Sequence, residues 1–162
     1  MRFTNTFFTA LLACVASVSS QATVIDQRQP NPCAVHWASP HQQEKIFEDL
    51  VENLYRTRNF TRAYTHFAVD YIQHNPSAVD GFNASFNAVV SLIGDPSVKV
   101  QVLRTAFSAP YGWVHSRIDG FDGAERPSAV ADIMRFNGTC VQEHWDVIQE
   151  MPAQSVNPHP LF

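Results

Sequence analysis

Residues 128–151 constrain the fold most, because their pattern is typical of two antiparallel strands joined by a tight turn. Alternating apolar and polar residues lie on both sides of Asn137-Gly138. An Asn-Gly pair between such runs is the strongest short-range signal for a β-hairpin. The predicted hairpin is also unusually charged, since Asp132 interrupts an apolar strand and the returning strand carries Glu143-His144-Trp145-Asp146.

The two faces of this hairpin follow from strand geometry, because successive side chains point to opposite sides. With Asn137-Gly138 at the centre of the turn, one face carries Asp132, Met134, Val141, Glu143 and Trp145. The other face then carries Ile133, Arg135, Gln142, His144 and Asp146. We interpret the first face as interior, which leaves the second for architecture or dimer contacts. A partly desolvated Asp132 suits general-base chemistry; the alternative is a structural carboxylate, either hydrogen-bonded in the core or paired with Arg135 or Arg117.

The segment before the hairpin predicts helices followed by strands. Ser39, Pro40 and Gln42 form a capping box with proline at the first helical position, so a helix begins there and runs to about residue 58. A second, shorter helix is expected after a cap at Asn59. A third is expected from a cap at Asp80 to Gly94.

A short strand is predicted over residues 69–75, and further strands over 98–108 and 113–118. Helices followed by a run of strands indicate an α+β domain. We divide the chain into residues 1–22, a secretory signal peptide; 23–38, an extended lead-in; 39–151, the domain; and 152–162, a loose tail.

The signal peptide is predicted from a short positive start, an apolar run over residues 7–18 and small residues near Ala22. We therefore expect a secreted, extracellular protein. Its removal takes one of 11 basic residues and none of the 15 acidic ones, so the net charge of −4 becomes −5. This balance opposes binding to nucleic acid or to an anionic membrane.

Two cysteines remain in the mature chain, Cys33 and Cys140. In a secreted protein this number favours a disulfide over two buried thiols. Three glycosylation sequons begin at Asn59, Asn83 and Asn137. Asn137, at the expected hairpin tip, is the site that we expect to be most accessible.

Histidines are the other candidates for chemistry, since the chain has no nucleophile elbow, phosphate loop or HExxH motif. His115 lies in the strand before the hairpin and could share a proton with Asp132, or be a core histidine. His74 lies beside the bend at Pro76 and could point into a cavity mouth or fix that bend. The scattered histidines form no compact ligand motif, so we predict no metal site.

The residues that carry this chemistry also resemble a known family. The chain is similar to SnoaL-like proteins of the nuclear transport factor 2-like superfamily in a set of ordered motifs: YIQHNP at 71–76, DG at 80–81, VHSR at 114–117, ADIMRF at 131–136 and EHWDVIQ at 143–149. The resemblance spans roughly residues 41–150. It implies an α+β cone, in which a curved antiparallel sheet packs on N-terminal helices around an apolar pocket, and a homodimer formed through the outer sheet face.

The resemblance also implies roles for individual residues. SnoaL-like polyketide cyclases perform an intramolecular aldol condensation without metal or cofactor. By position, Asp132 would be the base and His115 its partner, with the pocket formed by His74, Tyr71, Phe86, Met134 and Trp145. The leading hypothesis is cofactor-free aldol cyclisation, isomerisation or dehydration of a small carbonyl-bearing molecule. A non-catalytic protein that binds a small molecule in the same pocket remains the alternative, because one fold hosts many functions.

Overall fold

The computed structural model describes residues 28–162. The predicted signal peptide lies outside this range and stays a prediction. The helices are α1 (Pro40–Val51), α2 (Phe60–Tyr64) and α3 (Phe82–Ile93), and the strands are β1 (Phe67–Gln73), β2 (Lys99–Ser108), β3 (Tyr111–Asp119), β4 (Ser128–Asn137) and β5 (Cys140–Glu150).

Helix α1 begins as the sequence predicts. The Ser39 side chain accepts a hydrogen bond from the Gln42 backbone N–H, the Gln42 side chain accepts one from the Ser39 N–H, and Pro40 occupies the first helical position. After Val51 the helix continues as a π-helical segment, Glu52–Arg56. This segment buries Tyr55, which becomes important at the site described below.

The second and third helices differ in how they begin. The Asn59 side chain caps α2 by accepting from the Arg62 backbone N–H, as expected. The cap predicted at Asp80 is wrong, because the residue before α3 is Gly81. The Asp80 carboxylate instead accepts hydrogen bonds from the backbone N–H groups of Gln73 and Gly81, both at 2.7 Å. Asp80 therefore links the end of β1 to the start of α3.

The five strands form one sheet in the order β1-β5-β4-β3-β2. Strands β2 to β5 pair with one another antiparallel, whereas β1 runs parallel to β5, so the sheet is mixed rather than antiparallel throughout as predicted. The core lies between the helices and one face of this sheet. Its largest fully buried side chains are Tyr64, Phe60, Phe86, Phe136, Leu50 and Met134.

The β4–β5 hairpin forms, but its pairing changes partway along. Asn137 pairs with Cys140 and Phe136 with Val141, so the turn lies one residue later than predicted; this shift alone would not exchange the faces. The next pair is Arg135 with Glu143, which leaves Gln142 as an extra residue in β5. Such a β-bulge opposes two residues to one and reverses the alternation beyond it.

The bulge overturns the predicted assignment of faces. From Glu143 onward each residue of β5 points to the opposite side from the one predicted. Asp132 now pairs with Asp146, and Met134 pairs with His144. The Gln142 side chain fixes the bulge by donating a 2.9 Å hydrogen bond to the carbonyl of Asp70 in β1.

The lead-in is joined to the hairpin tip by the predicted disulfide between Cys33 and Cys140, which confirms the pairing of the two mature cysteines. Cys33 also forms a parallel bridge with Ala68 at the start of β1. Gly138 has a φ of +55°, and a side chain there would meet the carbonyl oxygen of His36 at 1.9 Å. Only glycine therefore allows this close approach.

The tail after β5 contains no helix or strand over residues 152–162. It is not loose throughout, because the guanidinium of Arg117 lies 5.1 Å from the centre of the Phe162 ring. Across residues 28–162, none of the helices has the length and apolarity needed to cross a membrane.

Candidate active site

A cavity of about 110 Å³ lies between the helices and the inner face of the sheet. Its walls are mostly apolar and come from the π-helical segment, α2, α3 and all strands except β2. A polar group of side chains is concentrated at β1, β4 and β5. The polar lining residues are Tyr55, Tyr64, Tyr71, Gln73, Asn75, Ser85, Asp132, His144 and Asp146.

Asp132 lies on the inner face of β4 and is only 7% exposed. The buried hydroxyl of Tyr55 donates a 2.8 Å hydrogen bond to one of its carboxylate oxygens. Burial and the neighbouring Asp132 charge raise the pKa of Tyr55 well above its ordinary value, so its hydroxyl remains a donor. The predicted interior position of Asp132 is therefore confirmed.

His144 contacts the other carboxylate oxygen of Asp132. Its Nε2 lies 2.9 Å from Asp132 Oδ1, and its Nδ1 lies 3.0 Å from Gln73 Oε1. The amide nitrogen of Gln73 in turn donates to the Tyr71 hydroxyl at 3.2 Å. A continuous chain of hydrogen bonds thus runs from Tyr55 through Asp132, His144 and Gln73 to Tyr71.

Asp146 is the second carboxylate of this group. Asn75 Nδ2 lies 2.8 Å from each of its carboxylate oxygens, which fixes the orientation of the carboxylate beside the cavity. Potential ligand atoms of Asp132, His144 and Asp146 all lie within 4.8 Å of one another. These residue types can bind divalent cations, but here Asp132 Oδ1 and His144 Nε2 are joined to each other by a hydrogen bond, and both Asp146 oxygens accept from Asn75.

The predicted pairing of Asp132 with His115 is wrong. His115 belongs to β3 and alternates with the buried residues Val114 and Ser116, so it lies on the outer face of the sheet. There its Nδ1 lies 2.8 Å from the guanidinium of Arg104. The residue that Asp132 faces on β3 is Val114, its direct partner across the strands.

His74 and Trp145 also lie outside the cavity, contrary to their predicted substrate-binding roles. The bulge turns Trp145 to the outer face, where its ring stacks on that of His74 at 4.4 Å. His74 Nε2 lies 2.9 Å from Glu143 Oε2, and Arg135 pairs with the same carboxylate. This hydrogen bonding lowers the pKa of Glu143, with Arg135 the larger cause and His74 the smaller.

Tyr71 and Met134 line the cavity as expected, whereas Phe86 packs behind it against Tyr64. The alternative of an arginine partner for Asp132 is not observed, since Arg135 pairs with Glu143 and Arg117 with Asp119. Asp132 is held by a phenol and an imidazole instead.

Sequence reasoning missed five members of this hydrogen-bonded group: His144, Asp146, Tyr55, Gln73 and Asn75. The first two were assigned to the outer face because a bulge cannot be read from alternation. Tyr55 recurs at helical spacing with apolar residues of the first helix, a pattern that indicates packing rather than chemistry. The signal that could have identified the first two is their chemistry, since the Glu-His-Trp-Asp cluster is the most polar stretch of β5.

Comparison with known proteins establishes the fold through structure. No protein-family model matches the chain, and no curated protein matches it significantly. A candidate ketosteroid isomerase from Kribbella flavida is similar over 76% of this chain and 96% of its own, with a TM-score of 0.61 and 12% identity. An NTF2-like protein of unknown function from Burkholderia xenovorans is similar over 72% and 89%, with a TM-score of 0.59 and 14% identity. This chain has the NTF2-like fold.

A third similar structure bears on the resemblance seen in the sequence motifs. It is a candidate SnoaL-like polyketide cyclase from Jannaschia, similar over 70% of this chain and 90% of its own, with a TM-score of 0.54 and 16% identity. The predicted α+β architecture with N-terminal helices on a sheet is thereby confirmed. At such identities the likeness concerns the NTF2-like fold, and the chemistry must be argued from the site.

Proposed function

We propose that this protein is a secreted enzyme that transfers protons next to the carbonyl group of a small molecule, without metal or cofactor. Enolisation is the step common to the isomerisation, dehydration and aldol reactions considered from the sequence. The observation that carries the proposal is the Tyr55–Asp132–His144 hydrogen-bond chain in the wall of an otherwise apolar cavity.

The environment of this chain supports acid/base work. Asp132 and His144 have side chains only 10% and 12% exposed, so water competes little for their hydrogen bonds. Proton transfer by a positioned side chain typically contributes about 10²- to 10⁴-fold in rate. Tyr55 and Gln73 hold the two groups from opposite ends, which supplies the orientation that such transfer requires.

The cavity also restricts the size of the substrate. Its volume is about 110 Å³, and an apolar cavity of about 150 Å³ binds benzene. The present cavity is smaller than that one, so in this conformation it suits ligands no larger than a single small ring. This favours small carbonyl compounds over polycyclic ones.

Secretion is part of the proposal and is supported by the Cys33–Cys140 disulfide, since such bonds persist mainly in oxidising compartments. The sequon residues Asn59, Asn83 and Asn137 are all exposed, so each is available for glycosylation. Expression in a eukaryotic secretory host should yield a shortened N-terminus and a mass that decreases after treatment with an N-glycosidase. An intact leader retained inside the cell would contradict this part of the proposal.

The test of activity is hydrogen exchange on a probe that fits the cavity. We expect the protein to accelerate the loss of the α-proton signal of cyclopentanone in D₂O, followed by NMR. Asp132→Asn should remove most of the acceleration. Dialysis against a chelator should leave the rate unchanged, because no metal takes part in the proposed step.

A matched control is available in another Asp–His pair among residues 28–162. His66 Nε2 lies 2.6 Å from Asp49 Oδ2, and neither residue lines the cavity. Asp49→Asn should therefore retain the exchange activity. Binding of cyclopentanone without any exchange would instead support the non-catalytic binding protein.

A further inference from the structure

The orientation of Gln73 determines which nitrogen of His144 carries a proton. Gln73 Oε1 accepts a 3.0 Å hydrogen bond from the backbone N–H of Asn75, and Gln73 Nε2 donates to Tyr71. A flipped amide would place its NH₂ group against that backbone N–H, donor against donor. The backbone therefore fixes Gln73 with its oxygen towards His144.

His144 must then donate through Nδ1. The same Gln73 oxygen lies 3.0 Å from His144 Nδ1 and is an acceptor only, so Nδ1 carries a hydrogen. In a neutral imidazole this leaves Nε2 as a bare acceptor. However, Nε2 lies 2.9 Å from a carboxylate oxygen of Asp132, which is also an acceptor when ionised.

Two bare acceptors at this distance in a largely buried site would repel each other, so a proton must lie between them. It belongs either to an imidazolium beside an ionised Asp132 or to a protonated Asp132 beside a neutral imidazole. Both descriptions give the Asp132–His144 pair one proton to donate. Asp132 is also poorly placed to act as a base, since its other oxygen already accepts from Tyr55.

Asp146, unlike the Asp132–His144 pair, is placed to accept a proton. The Asn75 side chain is fixed because its Oδ1 accepts a 2.7 Å hydrogen bond from the Ser77 backbone N–H, so its NH₂ group faces Asp146. This amide is a neutral donor and can satisfy an ionised carboxylate without supplying a proton. The remaining lone pairs of Asp146 lie beside the cavity.

We propose that the Asp132–His144 pair is the general acid of this site and that Asp146, which the predicted alternation placed on the outer face, is its general base. The inference rests on the proposed function. Asp146 takes the proton from the carbon next to the carbonyl, and the electron pair of that C–H bond forms the C=C bond of the enol. The carbonyl oxygen takes the proton of the pair, so a neutral enol forms and the number of protons on the enzyme and substrate together is unchanged.

Other titratable groups near the pair do not provide that proton. Tyr55 and Tyr71 are the titratable side chains at the two ends of the hydrogen-bond chain. Burial raises the pKa of both phenols above the ordinary value, so both stay protonated at neutral pH. Each can orient its neighbour without changing the proton count of the site.

The location of the protons can be measured without any substrate, by long-range ¹H–¹⁵N and carboxyl ¹³C NMR on isotopically labelled full-length mature protein at pH 7. We expect Nδ1 of His144 to be protonated, one further proton shared between Nε2 and Asp132, and Asp146 to be ionised. Asp132→Asn should leave Nε2 bare, because the new amide donates to it. Asp49→Asn should affect only the signals of His66. A bare Nδ1, or a bare Nε2 beside an ionised Asp132, would overturn the inference.

The base is tested with the cyclopentanone exchange reaction. Asp146→Asn should reduce the enzyme-dependent rate by about 100-fold or more while leaving the NMR pattern of the Asp132–His144 pair intact. Exchange that survives this substitution would overturn the role of Asp146 but not the proposed function. Absence of exchange in the unsubstituted protein would overturn the proposed function, and with it the role of Asp146 as base. The NMR spectra test the location of the proton in the Asp132–His144 pair independently of this result.

Discussion

Asp132 and His144 occupy diagonal positions on neighbouring strands and are joined by a 2.9 Å hydrogen bond on the inner face of the sheet. Strand pairing sets this distance, because Asp132 pairs with Asp146 and His144 pairs with Met134. The contact therefore depends on the register of the β4–β5 hairpin. Substitutions that leave the register unchanged should affect the chemistry without affecting the fold.

Replacing Tyr55 with Phe tests the first link of the hydrogen-bond chain. The variant leaves one oxygen of buried Asp132 without its donor, and an unsatisfied buried group costs about 1–3 kcal/mol. We expect the free energy of unfolding in urea to fall by that amount and the cyclopentanone exchange rate to decrease. Tyr111→Phe is the control, because Tyr111 is 46% exposed and should change neither quantity. Equal effects of the two substitutions would contradict the role of Tyr55.

The disulfide should contribute strongly to stability. Cys33 and Cys140 are 107 residues apart, and closing a loop of that size stabilises a protein by about 4–5 kcal/mol on the chain-entropy model. We expect the double variant Cys33→Ser, Cys140→Ser to lose about this amount in urea denaturation. Adding dithiothreitol should lower the free energy of unfolding of the unsubstituted protein by a similar amount and leave that of the variant unchanged. A reductant effect on the variant would show that the loss has another origin.

The stability of the folded protein should decrease when the pH falls below 6.5, the ordinary pKa of histidine. Burial lowers the pKa of His66 despite its hydrogen bond to Asp49, so in this window the unfolded chain binds a proton that the folded chain does not. The contribution of neutral His66 to the free energy of unfolding is complete above pH 6.5. It is lost as the pH falls from 6.5 through the lower pKa that His66 has in the folded protein. His66→Gln should remove this part of the pH dependence of the unfolding free energy. An unchanged pH profile in the variant would contradict the assignment.

The outer face of the sheet should form a homodimer contact. Trp113, Ile133 and Trp145 lie in one row across three strands, and Trp113 and Ile133 are 41% and 39% exposed. Because an exposed apolar patch favours association, we expect a dimer in sedimentation velocity that Ile133→Lys dissociates. Val79→Lys is the matched control, since Val79 is 76% exposed but lies outside the sheet. A monomer at all concentrations would contradict the prediction.

Much of the fold could be predicted because its signals are local. The Ser39 capping box, the cap at Asn59 and the turn near Gly138 each depend on a few adjacent residues. The disulfide followed from counting cysteines. By contrast, the parallel pairing of β1 with β5 joins segments far apart in sequence, and nothing in either strand indicates its direction.

The site was predictable only in part. Asp132 was identified because a carboxylate in an apolar strand is conspicuous within its own segment. Its partners come from the other strand, where one unpaired residue at Gln142 exchanges the two faces. The stabilising contact of that residue, a hydrogen bond to the Asp70 carbonyl, is made across the sheet. The alternation of residues within one strand cannot predict a contact that is made to another strand.

The extra residue at Gln142 means that chain length, as well as residue identity, encodes this active site. Deleting that one residue would restore regular alternation and exchange the faces of everything after it. Glu143 and Trp145 would then enter the cavity, and His144 and Asp146 would turn to solvent. A single codon lost or gained at this position could thus separate an active protein from an inactive one, with every proposed catalytic side chain still present in the sequence.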